Sequence, residues 1–204
     1  MTIIIINYGN YHSQAEFMKQ DSREQMIEGV LALLAQQGLQ ATSFSEVLKL
    51  TKAPRGSIYY HFPGGKDELV SEALKLLEKR TIKSIQALDG TDPEKIVEGF
   101  LGLWRYLLTT YNFSTGCSAL AVTVATNSPE LLKQSESIFE SWQKTLSKKF
   151  IKAGLAPNQS AGFATTLIAA SEGAVVMARA AKSMEPFERV STQLLAQSKQ
   201  LTRI

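Results

Sequence analysis

The chain has 204 residues, 44% of them hydrophobic and 20% charged, with a net charge of +3 and a pI near 8.9. That content supports a substantial core, in one large domain or in a small domain joined to a larger one, and excludes disordered and repeat chains. So small a basic excess carries no argument for nucleic acid, and the single cysteine, Cys117, excludes an internal disulfide.

Residues 1–17 resemble nothing later in the chain and read as an N-terminal extension, disordered or attached to a neighbouring surface, with Met18 as an alternative start. The run Ile3–Ile6 follows no positive residue and is too short for export or a membrane span, so a cytoplasmic protein with no membrane partner is expected. Ser22 and Gln25 have capping-box spacing, and Met26, Ile27, Val30, Leu31 and Leu34 then predict a first helix over about 22–37. Ser43 with Glu46 predicts a second helix of two turns, burying Phe44, Val47 and Leu48. Pro54 suits the first turn of a third helix, about 54–60, whose one apolar anchor is Ile58. Two short helices joined by a tight turn, the second polar and partly aromatic, fit a helix-turn-helix.

Charge is concentrated here, since between Thr42 and Lys66 the one acid, Glu46, faces Lys49, Lys52, Arg55 and Lys66. The planar fork of Arg55 can reach base edges or a phosphate, and Gly56 lets the backbone approach a groove wall. Tyr59 offers a ring to a thymine methyl, while Tyr60 and His61 offer donors to phosphates. Lys66 opens a fourth helix, where its charge and the free amides favour an anion. A structural helix-turn-helix, its tyrosines covering a core edge, is the competing reading of this spacing.

The string Arg55-Gly-Ser-Ile-Tyr-Tyr-His-Phe62 carries more than spacing, because residues 22–74 resemble the DNA-binding domain of the TetR family of bacterial transcriptional repressors. Ala53-Pro-Arg-Gly-Ser57 followed by His61-Phe-Pro-Gly-Gly-Lys66 is similar to the LmrA/YxaF subgroup, whose members repress efflux or dioxygenase genes and respond to antibiotics or flavonoids. The resemblance implies phosphate contacts from Thr42 and Ser43, groove contacts from Arg55, Gly56, Ser57 and Tyr59, and backbone clamps from Tyr60, His61 and Lys66. Lys52 stands where many members have glycine, which leaves the turn geometry open and adds a candidate phosphate contact.

Apolar spacing from Leu69 to Ile85 carries the fourth helix to about residue 87, and the resemblance implies that it transmits ligand binding to the DNA-reading unit. Turn residues at Asp89–Pro93 then mark a boundary. The expected organisation is a DNA-binding domain over 18–66, a connecting helix over 67–88 and a regulatory and dimerisation domain over 89–204. Ile96 to Tyr111 forms a helix with a broad apolar side. The strand-like stretch Cys117–Thr126 is assigned to helix, because a lone strand would leave its backbone groups unpaired. Helices from Ser128, from Pro157 to about Lys182 and from Pro186 to Leu201 complete an all-α fold of about nine helices.

Phe100, Trp104, Leu107, Phe113, Cys117, Phe139, Trp142, Phe163 and Met177 could line an apolar pocket for a hydrophobic small-molecule inducer, although each is also an ordinary core residue. The last two helices are expected to form a homodimer interface, so that a double-stranded operator is read as two half-sites. Nothing in the sequence calls for a cofactor or a metal. An enzyme is the first rival, opposed by the presence of only His12 and His61 and the lack of a metal spacing or nucleophile elbow. The second is a helical adaptor without ligand response, opposed by Arg55, Tyr59, Tyr60 and Lys66.

Overall fold

The computed structural model describes residues 21–201, so the expectation for residues 1–17 lies outside the described residues. Among them are nine helices and no strand: α1 (Ser22–Ala41), α2 (Phe44–Thr51), α3 (Arg55–His61), α4 (Gly65–Ala87), α5 (Pro93–Thr110), α6 (Ser118–Thr123), α7 (Pro129–Lys152), α8 (Pro157–Ala181) and α9 (Glu185–Leu201). The all-α expectation holds, and the strand-like stretch after Gly116 is helical, with Cys117 as the N-cap of α6. By compactness the described residues form two units. Turn signals put one boundary at Asp89–Pro93, whereas packing groups residues up to Arg80 with Cys117–Ile138, and Thr81–Gly116 with the residues from Phe139 onward.

In the first unit α1 is the hub, since every residue from Gly29 to Ala35 is buried. An amphipathic surface helix would bury one stripe; burial all round requires neighbours on several sides, and α2, α3 and α6 supply them. Gly29 permits the closest approach, because a Cβ there would stand 2.9 Å from Thr51 Cγ2. Ser118 Oγ donates to Leu31 O at 3.1 Å, fastening α6 to the hub. Charged pairs tie α1 to α4: Arg23 meets Glu72 at 2.6 Å, and Arg80 pairs with Glu28. Hydrogen bonds from Lys75 and then Arg23 hold the Glu72 carboxyl below its ordinary pKa. This contribution to stability is therefore present above the ordinary carboxylate pKa and is lost as pH falls through the lowered one.

The start of α1 differs from expectation. Asp21 is its N-cap and makes no side-chain capping bond, so Ser22 is already the first helical residue and the capping box does not form. Its end follows the reading closely, because Gly38 leaves helical geometry at φ 81° and ψ 176°.

The second unit is built from α5, α8 and α9 with the adjoining parts of α4 and α7. Asp92 caps α5 by accepting from Lys95 N at 2.8 Å, as the Asp-Pro signal requires. Arg105 on α5 grips Glu188 on α9 through two hydrogen bonds of 2.6 and 2.9 Å, and its guanidinium lies 5.9 Å from the centre of the Phe187 ring. Helix α8 is long and apolar enough in composition to cross a membrane, yet half of its most apolar window is buried within the protein. Phe163, Leu167, Ile168, Ala174 and Val175 form that inner side. The other side, Gly162, Thr166, Ala169, Gly173, Val176, Met177 and Ala180, is exposed and carries no charge.

Only glycine occupies the backbone region of Gly38 without strain. Gly38→Ala is therefore expected to destabilise the intact protein by about 1–3 kcal/mol, measured as a lower urea midpoint with an unchanged slope.

Candidate DNA-reading site

The site begins at the turn into α2. Ser43 is the N-cap, its Oγ accepting from Glu46 N at 3.3 Å and lying 2.8 Å from Ser45 Oγ. Helix α2 ends at Lys52, which adopts φ 56° and ψ 21°. A lysine thus takes the left-handed conformation that glycine holds more cheaply, at a cost of about 1–2 kcal/mol. Helix α3 follows with Pro54 as its N-cap, one position before the first-turn placement expected. Ser57 locks that entry, its N donating to Pro54 O at 3.0 Å and its Oγ to the same oxygen at 2.6 Å.

Ile58 is fully buried, and Phe62 closes α3 from beneath with Arg23 over its ring at 5.3 Å. With these positions turned inward, Arg55, Gly56, Tyr59 and Tyr60 face solvent. Tyr59 is 67% exposed and Tyr60 81%. A Cβ at Gly56 would meet nothing within 4 Å, so the surface there is open. Tyr59 is braced by Phe44 of α2, ring centres 5.5 Å apart and edge to face. Tyr60 stands 5.2 Å from the half-buried His61 ring.

Other expected contacts are differently engaged. Thr42 is 2% exposed and its hydroxyl donates to Gly38 O at 2.9 Å, so that hydroxyl is turned into the protein. Lys66 Nζ donates to Leu39 O at 2.7 Å. That carbonyl also accepts from Thr42 N at 3.2 Å, so the ammonium shares in capping the end of α1. The amide of Gly64, ahead of α4, is already taken by Glu68 Oε2 at 2.7 Å, and Asp67 and Glu68 fill the first turn with negative charge. The start of α4 is consequently a poorer anion site than its free amides suggested. The sequence reading counted Lys49 in the local basic charge but assigned no contact to it or to Ser45, which share an exposed hollow with Arg55 and Tyr59. Their four-residue spacing on α2 was the available signal.

The residues proposed for a ligand are also sorted. Phe100, Leu107, Trp142 and Phe163 are buried in the second unit, where Trp104, Phe113 and Phe139 are partly buried. Phe139 packs edge to face on Trp142 at 5.4 Å, and Phe163 lies 5.0 Å from Phe150. Trp142 Nε1 is buried without a hydrogen-bond partner. Phe113 is held at φ 59° in the turn that ends α5, its N donating to Leu108 O at 2.8 Å. Two residues do not join this group. Cys117 belongs to the first unit, with its Sγ accepting from Leu120 N at 3.4 Å, and Met177 is 48% exposed on the outer side of α8.

An exposed polar helix held across α2, followed by a separate helical unit, defines a helix-turn-helix DNA-binding regulator. A family model described as bacterial regulatory proteins of the tetR family matches residues 27–73, and one described as the C-terminal domain of LmrA/YxaF-like transcriptional regulators matches residues 93–193. The chain belongs to the TetR family of bacterial transcriptional regulators, with a C-terminal domain of the LmrA/YxaF-like kind. It is 28% identical over 182 residues to an uncharacterized HTH-type regulator of Mycobacterium tuberculosis, covering 86% of this chain and 93% of that one. It is 26% identical over 176 residues to the HTH-type regulator LmrA of Bacillus subtilis, covering 84% and 94%. In fold it is similar to a TetR transcriptional regulator from Legionella pneumophila, with a TM-score of 0.76, 19% identity and coverage of 88% and 98%. A regulatory protein TetR from Rhodobacter sphaeroides gives 0.77, with 18% identity and coverage of 86% and 97%. These relatives are regulators rather than enzymes.

Because Lys66 caps a carbonyl, Lys66→Met is expected to lower unfolding stability by about 1–2 kcal/mol, a charged hydrogen bond partly screened by solvent. Tyr60→Ala, at an exposed position, should change it by less than about 0.5 kcal/mol. Urea titration of both variants checks the pair.

Proposed function

We propose that the protein is a cytoplasmic homodimeric repressor that leaves a pseudo-palindromic operator when a hydrophobic small molecule occupies its second unit. The observation that carries this reading is the outer side of α8. From Gly162 to Ala180 it exposes small and apolar side chains without a charge, and Val176 and Met177 are each about half exposed. A solvated helix of a monomer would carry polar residues there. Small residues let a second helix approach closely, and α9 beside it would complete a four-helix seam between two copies. The geometry of operator reading supports the same conclusion, because a two-fold pair reads two half-sites about 34–36 Å apart or a multiple of that.

On the DNA side, Arg55, Gly56, Ser57 and Tyr59 would meet the groove, with Ser43, Lys52, Tyr60 and His61 along the phosphates. Lys66 would add to that contact only with the protons left free by Leu39. The inducer reading rests on the buried aromatic group around Trp142, whose unpartnered indole N–H suits an apolar ligand bearing a hydrogen-bond acceptor. Such a ligand acts through its difference in affinity between the DNA-bound and released states. A hundredfold loss of operator affinity corresponds to a difference of about 2.7 kcal/mol.

The test begins with selection of genomic fragments by the intact protein. A Cβ at Gly173 would meet nothing within 4 Å, so Gly173→Arg should fold. It is expected to sediment as a monomer and to bind the selected operator at least about a hundredfold more weakly, approaching non-specific affinity. Arg55→Ala should remain dimeric and reduce the salt slope of binding by about one. A wild-type protein that is monomeric at micromolar concentration would refute the reading. Failure of every hydrophobic compound that binds to release operator would remove the inducer alone.

A further inference from the structure

An open hollow of about 430 Å³ lies between α2 and α3 on the exposed side of the helix-turn-helix. Its apolar part comes from Phe44, Leu48, Ala53 and Tyr59, and its polar edge from Ser45, Lys49 and Arg55. The Phe44 and Tyr59 rings meet edge to face at 5.5 Å, which fixes an otherwise exposed tyrosine as one wall. The nearest acid on that side, Glu46, is 4.0 Å from Lys49 at the limit of an ion pair, so the edge remains basic. An apolar hollow with cationic edges, continuous with the residues assigned to the groove, fits a nucleic acid better than an apolar peptide.

We infer that α2 reads sequence together with α3: Phe44, Leu48, Ala53 and Tyr59 receive the 5-methyl group of a thymine adjoining the base pair that Arg55 contacts. This rests on the DNA reading proposed above and extends it to residues of the preceding helix. In the major groove the thymine methyl is the apolar group on a base edge, and apolar side chains are its natural partners. Lys49 and Ser45 lie on the side of the hollow away from Arg55's helix, where a flanking phosphate supplies the negative charge they accept. A deoxyribose is the competing occupant, and its contribution would not depend on the base.

The experiment uses the full-length protein and its selected operator, with each thymine replaced singly by deoxyuridine so that a methyl group alone is removed. One thymine in each half-site is expected to lose about fourfold in affinity, the value of one buried methyl group. In Leu48→Ala the thymine and deoxyuridine operators should bind equally. Should that variant fail to fold, Tyr59→Ser, which removes one apolar wall at a largely exposed position, carries the same comparison. An operator with no fixed thymine in its half-sites, or no methyl-dependent position, overturns the inference while specific binding leaves the DNA reading intact. Equal weakening of both operators by Leu48→Ala overturns it in favour of the sugar. Loss of all sequence-dependent binding by the wild-type protein overturns the DNA reading itself.

Discussion

A helix of seven residues has no stability of its own in water. The exposure of Arg55, Tyr59 and Tyr60 therefore depends on what holds α3 from behind. Ile58 and Phe62 supply the apolar part, buried against the surrounding helices. Backbone restraint comes at both ends, from Ser57 closing on Pro54 and from Phe62 and Gly65 turning the chain into α4. Everything polar on α3 can face outward because these few contacts face inward. The hub helix α1 makes this possible, since its burial on several sides gives α2 and α3 a fixed surface to rest on.

Charge is used twice in this arrangement, with different consequences. Arg23 and Arg80 meet carboxylates across α1 and α4 and are partly shielded from solvent. Their role is to align helices whose apolar contacts would tolerate some sliding. Arg55 and Lys49 are exposed and have no close bidentate partner among the described hydrogen bonds. Basic groups left so are available to a polyanion, and that distinction is lost in a net charge of +3.

Much of the fold was legible in the sequence, because helical spacing and punctuation act locally. Asp92 before Pro93 and Gly38 after the first apolar run each did what their backbone chemistry requires. The exposure of the candidate DNA-reading residues was legible for a similar reason: Ile58 and Phe62 are the apolar residues of their stretch, so their neighbours point away. What could not be read was prior engagement. A threonine or lysine of suitable type appears available until Gly38 O or Leu39 O is found beside it, and both carbonyls lie in the last turn of α1, where acceptors lack helical donors. Met177 failed for a related reason, since a helix rich in alanine and glycine has no strong periodicity to tell its inner side from its outer one. Lys52 shows the limit of turn rules, taking the glycine-like conformation because α2 and α3 require it.

Were the uncharged outer side of α8 to join two copies, it would bear on how this chain is told apart from others of similar fold. Charges reject wrong partners by repulsion or by being left buried and unpaired. A face made of Gly162, Ala169, Gly173 and Val176 has neither means, so if two chains pair through it, as proposed, shape alone would govern the match. Closely related paralogues with similar faces would mix, and mixed pairs would join two different reading helices. Discrimination would then fall to the charged residues of α9, where Arg189 and Lys199 are exposed. Divergence of duplicated regulators would begin at that margin, leaving the smooth helix unchanged.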